Sequence, residues 1–302
     1  MAAEADAAPA TGPDRGGALA DHHLDLQFRA DRRGRSYLHR QYVRYPFHLT
    51  RPFYLDRPQL PGLATLYLQS ASGGLYGGDR LTTEIAVAAG ATAHVTSQSS
   101  TIVHRAHDGA GASLATRIAL ESGAFLALTP DPTILFPDAE LSNATTALLP
   151  PDATLILGEA LLGHDPQTAD GGAMRPVGRF FSEVRIDVPG LGRAIDRQAF
   201  DRQAVPAALD PDAGLGGGAG HAAQAAFYCI GPAFRGGNPV DLLAGLTPPA
   251  GAIWGADELP GGLGIWVRGL APSGHLLTAA MAALFAAAFT RHFGTAPAPR
   301  RK

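Results

Sequence analysis

Two stretches of the 302-residue chain hold the side chains that could do chemistry: "GGLYGGDRL" over residues 73–81 and "TSQSSTIVHRAHDG" over residues 96–109. The first sets two glycine pairs around Leu75 and Tyr76 and follows them with Asp79. Glycine alone reaches positive φ without steric cost, so this backbone bends sharply or is approached closely by another segment. A phosphate-binding P-loop would carry Lys and Ser/Thr after its glycines, whereas Asp79 puts a negative charge where the phosphate would sit. A dinucleotide fingerprint is excluded too, because the glycine spacing is wrong and no amphipathic helix follows. The pattern fits a turn closed by the Asp79 carboxylate, which would accept backbone N–H bonds.

The second stretch is polar in an unusual way. If residues 94–105 are extended, His94, Thr96, Gln98, Ser100, Ile102 and His104 share one face, and Val95, Ser97, Ser99, Thr101, Val103 and Arg105 share the other. Neither face is apolar, and buried polar side chains need partners or water, so the segment points to a wet interior, a cavity wall or a recognition surface. Ser99 or Ser100, His104 and Asp108 could be assembled into a hydrolytic triad, but no nucleophile elbow accompanies them. His104 and His107 form H-x-x-H, a spacing that on a strand sends the rings to opposite faces, and no Glu joins them. A third stretch, "LTPDPTILFPDAEL" over residues 128–141, uses Pro130, Pro132 and Pro137 to stiffen the apolar core Thr133–Phe136, with Asp131, Asp138 and Glu140 around it. It reads equally as a buried strand between rigid turns or as an interface element. A small hydrolase or lyase using Asp79, His104 and Asp131 is the enzymatic alternative, and it requires those groups in one cleft.

These residues must be positioned by strands. In "EVRIDV", Val184, Ile186 and Val188 fall on one face and Arg185 and Asp187 on the other; "SLATRIAL" repeats the alternation at residues 113–120. Strands are also expected over residues 81–87, 91–97, 124–129, 153–158, 223–230 and 263–268, joined by small turns such as "AAGAT", "ESGAF" and "PPDAT". The fold class expected is mainly β, as a coiled, β-helix-like body of many strands in a single domain over residues 23–302. Residues 1–22, rich in Ala, Pro, Gly and Asp, read as a flexible leader, and residues 163–178 and 206–221 as exposed loops. A helix or helix pair closes the chain: over about 272–293, Leu277, Met281, Leu284, Ala288 and Phe289 recur at helical steps, with alanines opposite.

Composition narrows the function. Hydrophobic residues are 46% of the chain and charged residues 17%, as expected of a globular protein, and a net charge of −3 supplies no field to gather polyanions, so nucleic acid is not an expected partner. The apolar run 276–289 is too short for a bilayer and is followed by Arg291 and His292, so a packed helix is expected and no membrane association. The single cysteine, Cys229, lies in "AAFYCIG" and reads as a buried, inert thiol in a reducing, cytoplasmic compartment. Arginines gather between Arg29 and Arg57, a solvated basic face or a docking surface for an acidic partner.

In this order, "RSYLHRQYVRYPFHLTRPFYLD", "GGLYGGDRL", "TSQSSTIVHRAHDGAGA" and "PDPTILFPDAEL" resemble the urease accessory protein UreD family, called UreH in some bacteria. The characteristic residues that match are Gly73, Gly74, Gly77, Gly78 and Asp79; Thr96, Gln98, Thr101 and Arg105; and Pro130, Pro132, Thr133, Ile134, Phe136 and Pro137. The chain departs from the family at Ile102 and His104, where a lysine and an aromatic residue are usual, at Gly163-His164, and in its ending "HFGTAPAPRRK". The resemblance implies a non-enzymatic scaffold that binds a UreF-type protein, recruits through it a UreG-type GTPase, and helps deliver nickel into apo-urease, in an assembly that can pair with a second copy of itself. GTP would be bound by the partner, and nickel would be in transit through a water-filled passage. Weak, exchangeable oxygen and imidazole ligands suit that task, and His94, Asp79 and Glu159 are the expected lining.

Overall fold

The computed structural model describes residues 23–107, 109–168, 175–201, 223–244 and 252–300. The expected leader, the loop 206–221, part of the loop 163–178 and Asp108 lie outside the described residues. In chain order the elements are β1 (Leu24–Ala30), β2 (Ser36–Val43), β3 (Phe47–Leu49), β4 (Ala64–Ser70), β5 (Arg80–Val87), β6 (Thr92–Ser97), β7 (Thr101–Val103), β8 (Ala112–Leu120), β9 (Phe125–Leu128), β10 (Thr133–Leu135), β11 (Glu140–Leu148) and β12 (Thr154–Gly163). They continue as β13 (Arg179–Val188), β14 (Gly192–Asp201), β15 (Ala223–Ile230), β16 (Ile253–Glu258), β17 (Gly264–Ala271) and the helix α1 (Gly274–Phe293).

From β4 to β13 the long strands fall in turn on two sheets, so each pairs in parallel with a strand one coil away. One sheet runs β14-β13-β11-β8-β5-β1-β2, and the other β16-β17-β15-β12-β9-β6-β4-β3. The parallel pairs β5·β8, β8·β11 and β11·β13 stack in the first, and β4·β6, β6·β9 and β9·β12 in the second. The body is therefore mainly β and coiled, as its strand-and-turn text requires. The turns "AAGAT", "ESGAF" and "PPDAT" do not close hairpins; they are corners that carry the chain from one sheet to the other. The corners stack on one another: Gly90 N–H donates to Ser122 O at 3.0 Å, Phe125 N–H to Ala91 O at 2.9 Å and Thr154 N–H to Ala124 O at 2.8 Å. Gly90 and Gly123 hold φ of 64° and 62° at these corners, where a side chain would be strained.

The inward residues of both sheets form one core. Leu26, Phe28, Ile85, Ile118 and Ile186 meet Val95, Leu126 and Leu155 across the gap. The second sheet is covered on its other face as well: Phe125, Ile156, Phe227 and Cys229 pack under Leu284, Phe285, Ala288 and Phe289 of α1. Both faces being buried explains why β15, "AQAAFYCI", is almost continuously apolar. Cys229 is fully buried and burial pushes its thiol upward, so it stays protonated and inert. The single α-helix among the described residues is long and apolar enough to cross a membrane by length and composition. It lies instead across β12, β15 and β17 with Leu277, Ala280, Leu284, Phe285, Ala288 and Phe289 buried. Gly294 ends it at φ 72°, its N–H donating to Thr290 O at 2.7 Å, and Arg291 and His292 face the negative end of the dipole.

Residues 94–105 are not a single strand: β6 ends at Ser97, the chain bends, and β7 leaves the main ladder to pair with β10. His94 and Thr96 do share a face, but His104 and His107 lie in the following loop, so strand alternation does not govern them.

Candidate functional site

The three motif stretches converge because each supplies one rung of a short parallel ladder at one end of the coil. Leu161–Gly163 pairs with Thr133–Leu135, Thr133–Leu135 with Thr101–Val103, and Val103 with Leu75. Leu75 N–H donates to Ile102 O at 2.7 Å, His104 N–H to Leu75 O at 2.9 Å, Phe136 N–H to Val103 O at 3.1 Å and His164 N–H to Leu135 O at 3.0 Å. Leu75, Val103 and Leu135 are buried beneath and anchor it. The glycines of "GGLYGGD" permit this approach. A Cβ on Gly74, whose φ is 136°, would stand 2.3 Å from Ile102 O, and one on Gly77 would stand 2.5 Å from Ala110 O. Asp79 closes the turn, its Oδ2 accepting Tyr76 N–H at 2.8 Å.

The residue that follows each rung carries a ring: Tyr76, His104, Phe136 and His164. Tyr76 stacks on His104 with centroids 4.4 Å apart and planes 5° apart; His104 meets Phe136 edge-on at 5.5 Å, and Phe136 lies 6.0 Å from His164. His104 Nε2 donates to Gly73 O at 3.0 Å, tying the stack to the glycine turn. His104 thus contributes a planar ring to the stack. Tyr76, His104 and Phe136 with Arg105, His107 and Arg175 line a cavity of about 410 Å³. Arg175 forks onto Asp165 at 2.8 Å for both contacts, and that hydrogen-bonded guanidinium holds the Asp165 carboxyl well below the usual range. Replacing Tyr76 by alanine is expected to lower stability by about 1 kcal/mol, since the stacked pair is half exposed; urea unfolding of the two proteins measures it.

A second feature lies between the sheets, where an apolar core would continue. A cavity of about 140 Å³ is lined by Thr116, Thr133, Asn143, Thr145, Glu159 and Gln198 among others, with Asp131 on its wall. Glu159 Oε1 accepts Asn143 Nδ2 at 2.8 Å and Oε2 accepts Ser182 Oγ at 3.2 Å. Burial raises its carboxyl from the ordinary 4.5 to about 7, against the lowering effect of those donors. Beside it Asp196 accepts from Tyr228 Oη and from Arg268, which joins both sheets through one polar network. Asn143, Ser182, Asp196 and Arg268 were not singled out by sequence, because each occupies an ordinary alternating strand position.

His94, Asp79 and Glu159 are not brought onto one lining. Glu159 points into the gap between the sheets, whereas His94 lies on the opposite face of its sheet, stacked on Phe285 of α1 at 4.6 Å. Asp79 sits in the glycine turn at the end of the coil. Asp79, His104 and Asp131 are also separated, the first in the turn, the second at the ring-lined cavity and the third at the inter-sheet cavity. Of the other motif residues, Thr96 Oγ1 donates to Thr129 O at 2.7 Å and Gln98 pairs with Gln69, so they fix the strand ends below the ladder. Arg105 bridges to Ala139 just past Pro137, while Pro132 is buried and Thr133 begins β10. Among the described residues no group of three or more His, Cys, Asp or Glu side chains is placed to hold a metal ion.

The described residues thus form a coiled two-sheet β body with one packed α-helix, a glycine-built ladder and a polar inter-sheet cavity. The profile of the UreD urease accessory family matches residues 20–302, and the chain belongs to that family. It is 42% identical over 269 residues to urease accessory protein UreD 1 of Methylorubrum populi, covering 89% of this chain and 88% of the relative. It is 43% identical over 273 residues to UreD 1 of Methylorubrum extorquens, covering 88% and 86%, and 41% identical over 273 residues to UreD 1 of a Bradyrhizobium species, covering 89% and 91%.

Proposed function

We propose that this urease accessory protein is a non-enzymatic, cytoplasmic scaffold that binds a UreF-type protein, recruits a UreG-type GTPase through it, and passes nickel toward apo-urease. The observation that carries the reading is the polar cavity around Glu159, held between two sheets whose neighbouring residues form a dry core. Hydroxyl, amide and carboxyl oxygens there offer weak, exchangeable contacts to a divalent cation, which must leave as readily as it enters. A carboxyl near neutrality can ionise when the cation arrives and take up a proton when it leaves. Of the three residues expected to line a passage, Glu159 alone borders this cavity, and we assign the passage role to it.

The partner-binding role rests on the rigid ring-bearing end of the coil and on the exposed alanines Ala279 and Ala282 of α1, surfaces a helical partner could cover. Co-expression with the UreF-type and UreG-type proteins of the same source, followed by pull-down on this chain with GTP and nickel, is expected to yield a stoichiometric complex. A chain recovered alone under all those conditions would sink the scaffold reading. The hydrolase or lyase alternative is not favoured, because Asp79, His104 and Asp131 share no cleft.

A further inference from the structure

The segment that follows α1 folds back and places the largely covered Arg300 side chain against Phe285 of the helix. The Arg300 guanidinium donates to both oxygens of Asp56, from Nη1 to Oδ1 at 3.1 Å and from Nη2 to Oδ2 at 2.8 Å, and from Nε to His94 Nδ1 at 3.0 Å. The side chains of Asp56 and Arg300 keep 2% and 11% of their exposure, and His94 retains 1%. Arginine has no acceptor, so His94 Nδ1 must present its lone pair, and the ring proton sits on Nε2, which donates to Thr129 Oγ1 at 2.8 Å. Phe285 packs over the imidazole at 4.6 Å and over the guanidinium at 5.7 Å. Two carboxylate oxygens and one imidazole nitrogen therefore address a single cation, and the imidazole is oriented from behind by a hydroxyl. An imidazole nitrogen fixed from behind by a hydrogen bond and a carboxylate are two donors of the kind a divalent transition metal takes, with water completing its remaining positions.

We propose that Asp56 and His94 form a binding site for a divalent transition-metal ion and that Arg300 of the same chain occupies it as a tethered competitor. The segment 294–300 is then a latch: while Arg300 is seated, the ion is kept out, and release of the segment exposes the donors. A short tether gives a competitor an effective concentration in the millimolar range, so the ion's apparent affinity falls by the ratio of that concentration to the guanidinium's own dissociation constant. The reading of the protein as a nickel carrier enters only through the choice of ion; binding is measured on the chain itself, so a missing ion and a missing urease effect are separate results.

Nickel chloride is the probe. By isothermal titration of the full chain, alone or with its UreF-type partner, Arg300→Ala is expected to gain one nickel ion with an apparent affinity about tenfold or more above any wild-type binding. The gain is expected to vanish in Arg300→Ala combined with His94→Ala. Equal nickel stoichiometry in the single and double variants would overturn the proposal. If Arg300→Ala does not fold, the wild-type chain decides it by hydrogen exchange: millimolar nickel should speed exchange over residues 295–300 and leave it unchanged in His94→Ala. No acceleration in the wild type overturns the proposal as firmly.

Discussion

Gly74→Ala is expected to destabilise the protein by about 3–5 kcal/mol, the sum of an overpacked contact and a strained backbone. The added methyl would stand 2.3 Å from Ile102 O, a backbone atom held in place by the Leu75 N–H bond, and φ of 136° lies where L side chains rarely go. Neither partner can yield without parting the ladder between Leu75 and Val103. Gly78→Ala is the control in the same motif: its φ is 88° but nothing lies within 4 Å of its Cβ, so only the backbone term of about 1–2 kcal/mol applies. Urea unfolding of the two variants separates them; equal losses would mean that the ladder contact contributes nothing.

The second large effect depends on pH and belongs to Glu159. Its folded-state carboxyl titrates near 7, above the ordinary 4.5, so the folded protein binds more protons than the unfolded chain across that interval. Stability contributed by the protonated form is therefore present below the unfolded value and is lost as pH rises toward and through about 7. For a group buried this completely the loss is on the order of 3 kcal/mol between weakly acidic and weakly basic solution. Glu159→Gln removes the titration and keeps the shape. It is expected to match the wild type near pH 5 and to exceed it by a few kcal/mol near pH 8.5. Guanidinium unfolding at both values checks the sign; a wild-type protein that gains stability over the same range would contradict the burial argument. Under the passage role proposed for Glu159, the same variant is expected to lower nickel delivery in urease activation, because an amide cannot take on the charge that balances the ion.

Much of the frame was legible because it rests on local rules. Val184, Ile186 and Val188 alternate as a half-buried strand must, and all three are buried. The Asp79 turn followed from its glycines, and the helix from Leu277, Leu284 and Phe289 at helical steps. The site was legible only in pieces. His94 and Glu159 sit on strands of a sheet covered on both faces, and there alternation tells that two residues differ in side but not which side faces the other sheet. The ring stack was hidden because Tyr76, His104, Phe136 and His164 recur at unequal steps, one per coil, and only the coil's geometry superimposes them. Arg300 and Asp56 lie at opposite ends of the chain, and no sequence period connects them.

The accessory role is tested most directly by the nickel content of urease matured in cells with and without this chain, all other urease and accessory proteins being present. Urease is expected to be nickel-loaded when the chain is present and nickel-poor when it is absent. Equal nickel contents in the two preparations would contradict a role in nickel delivery.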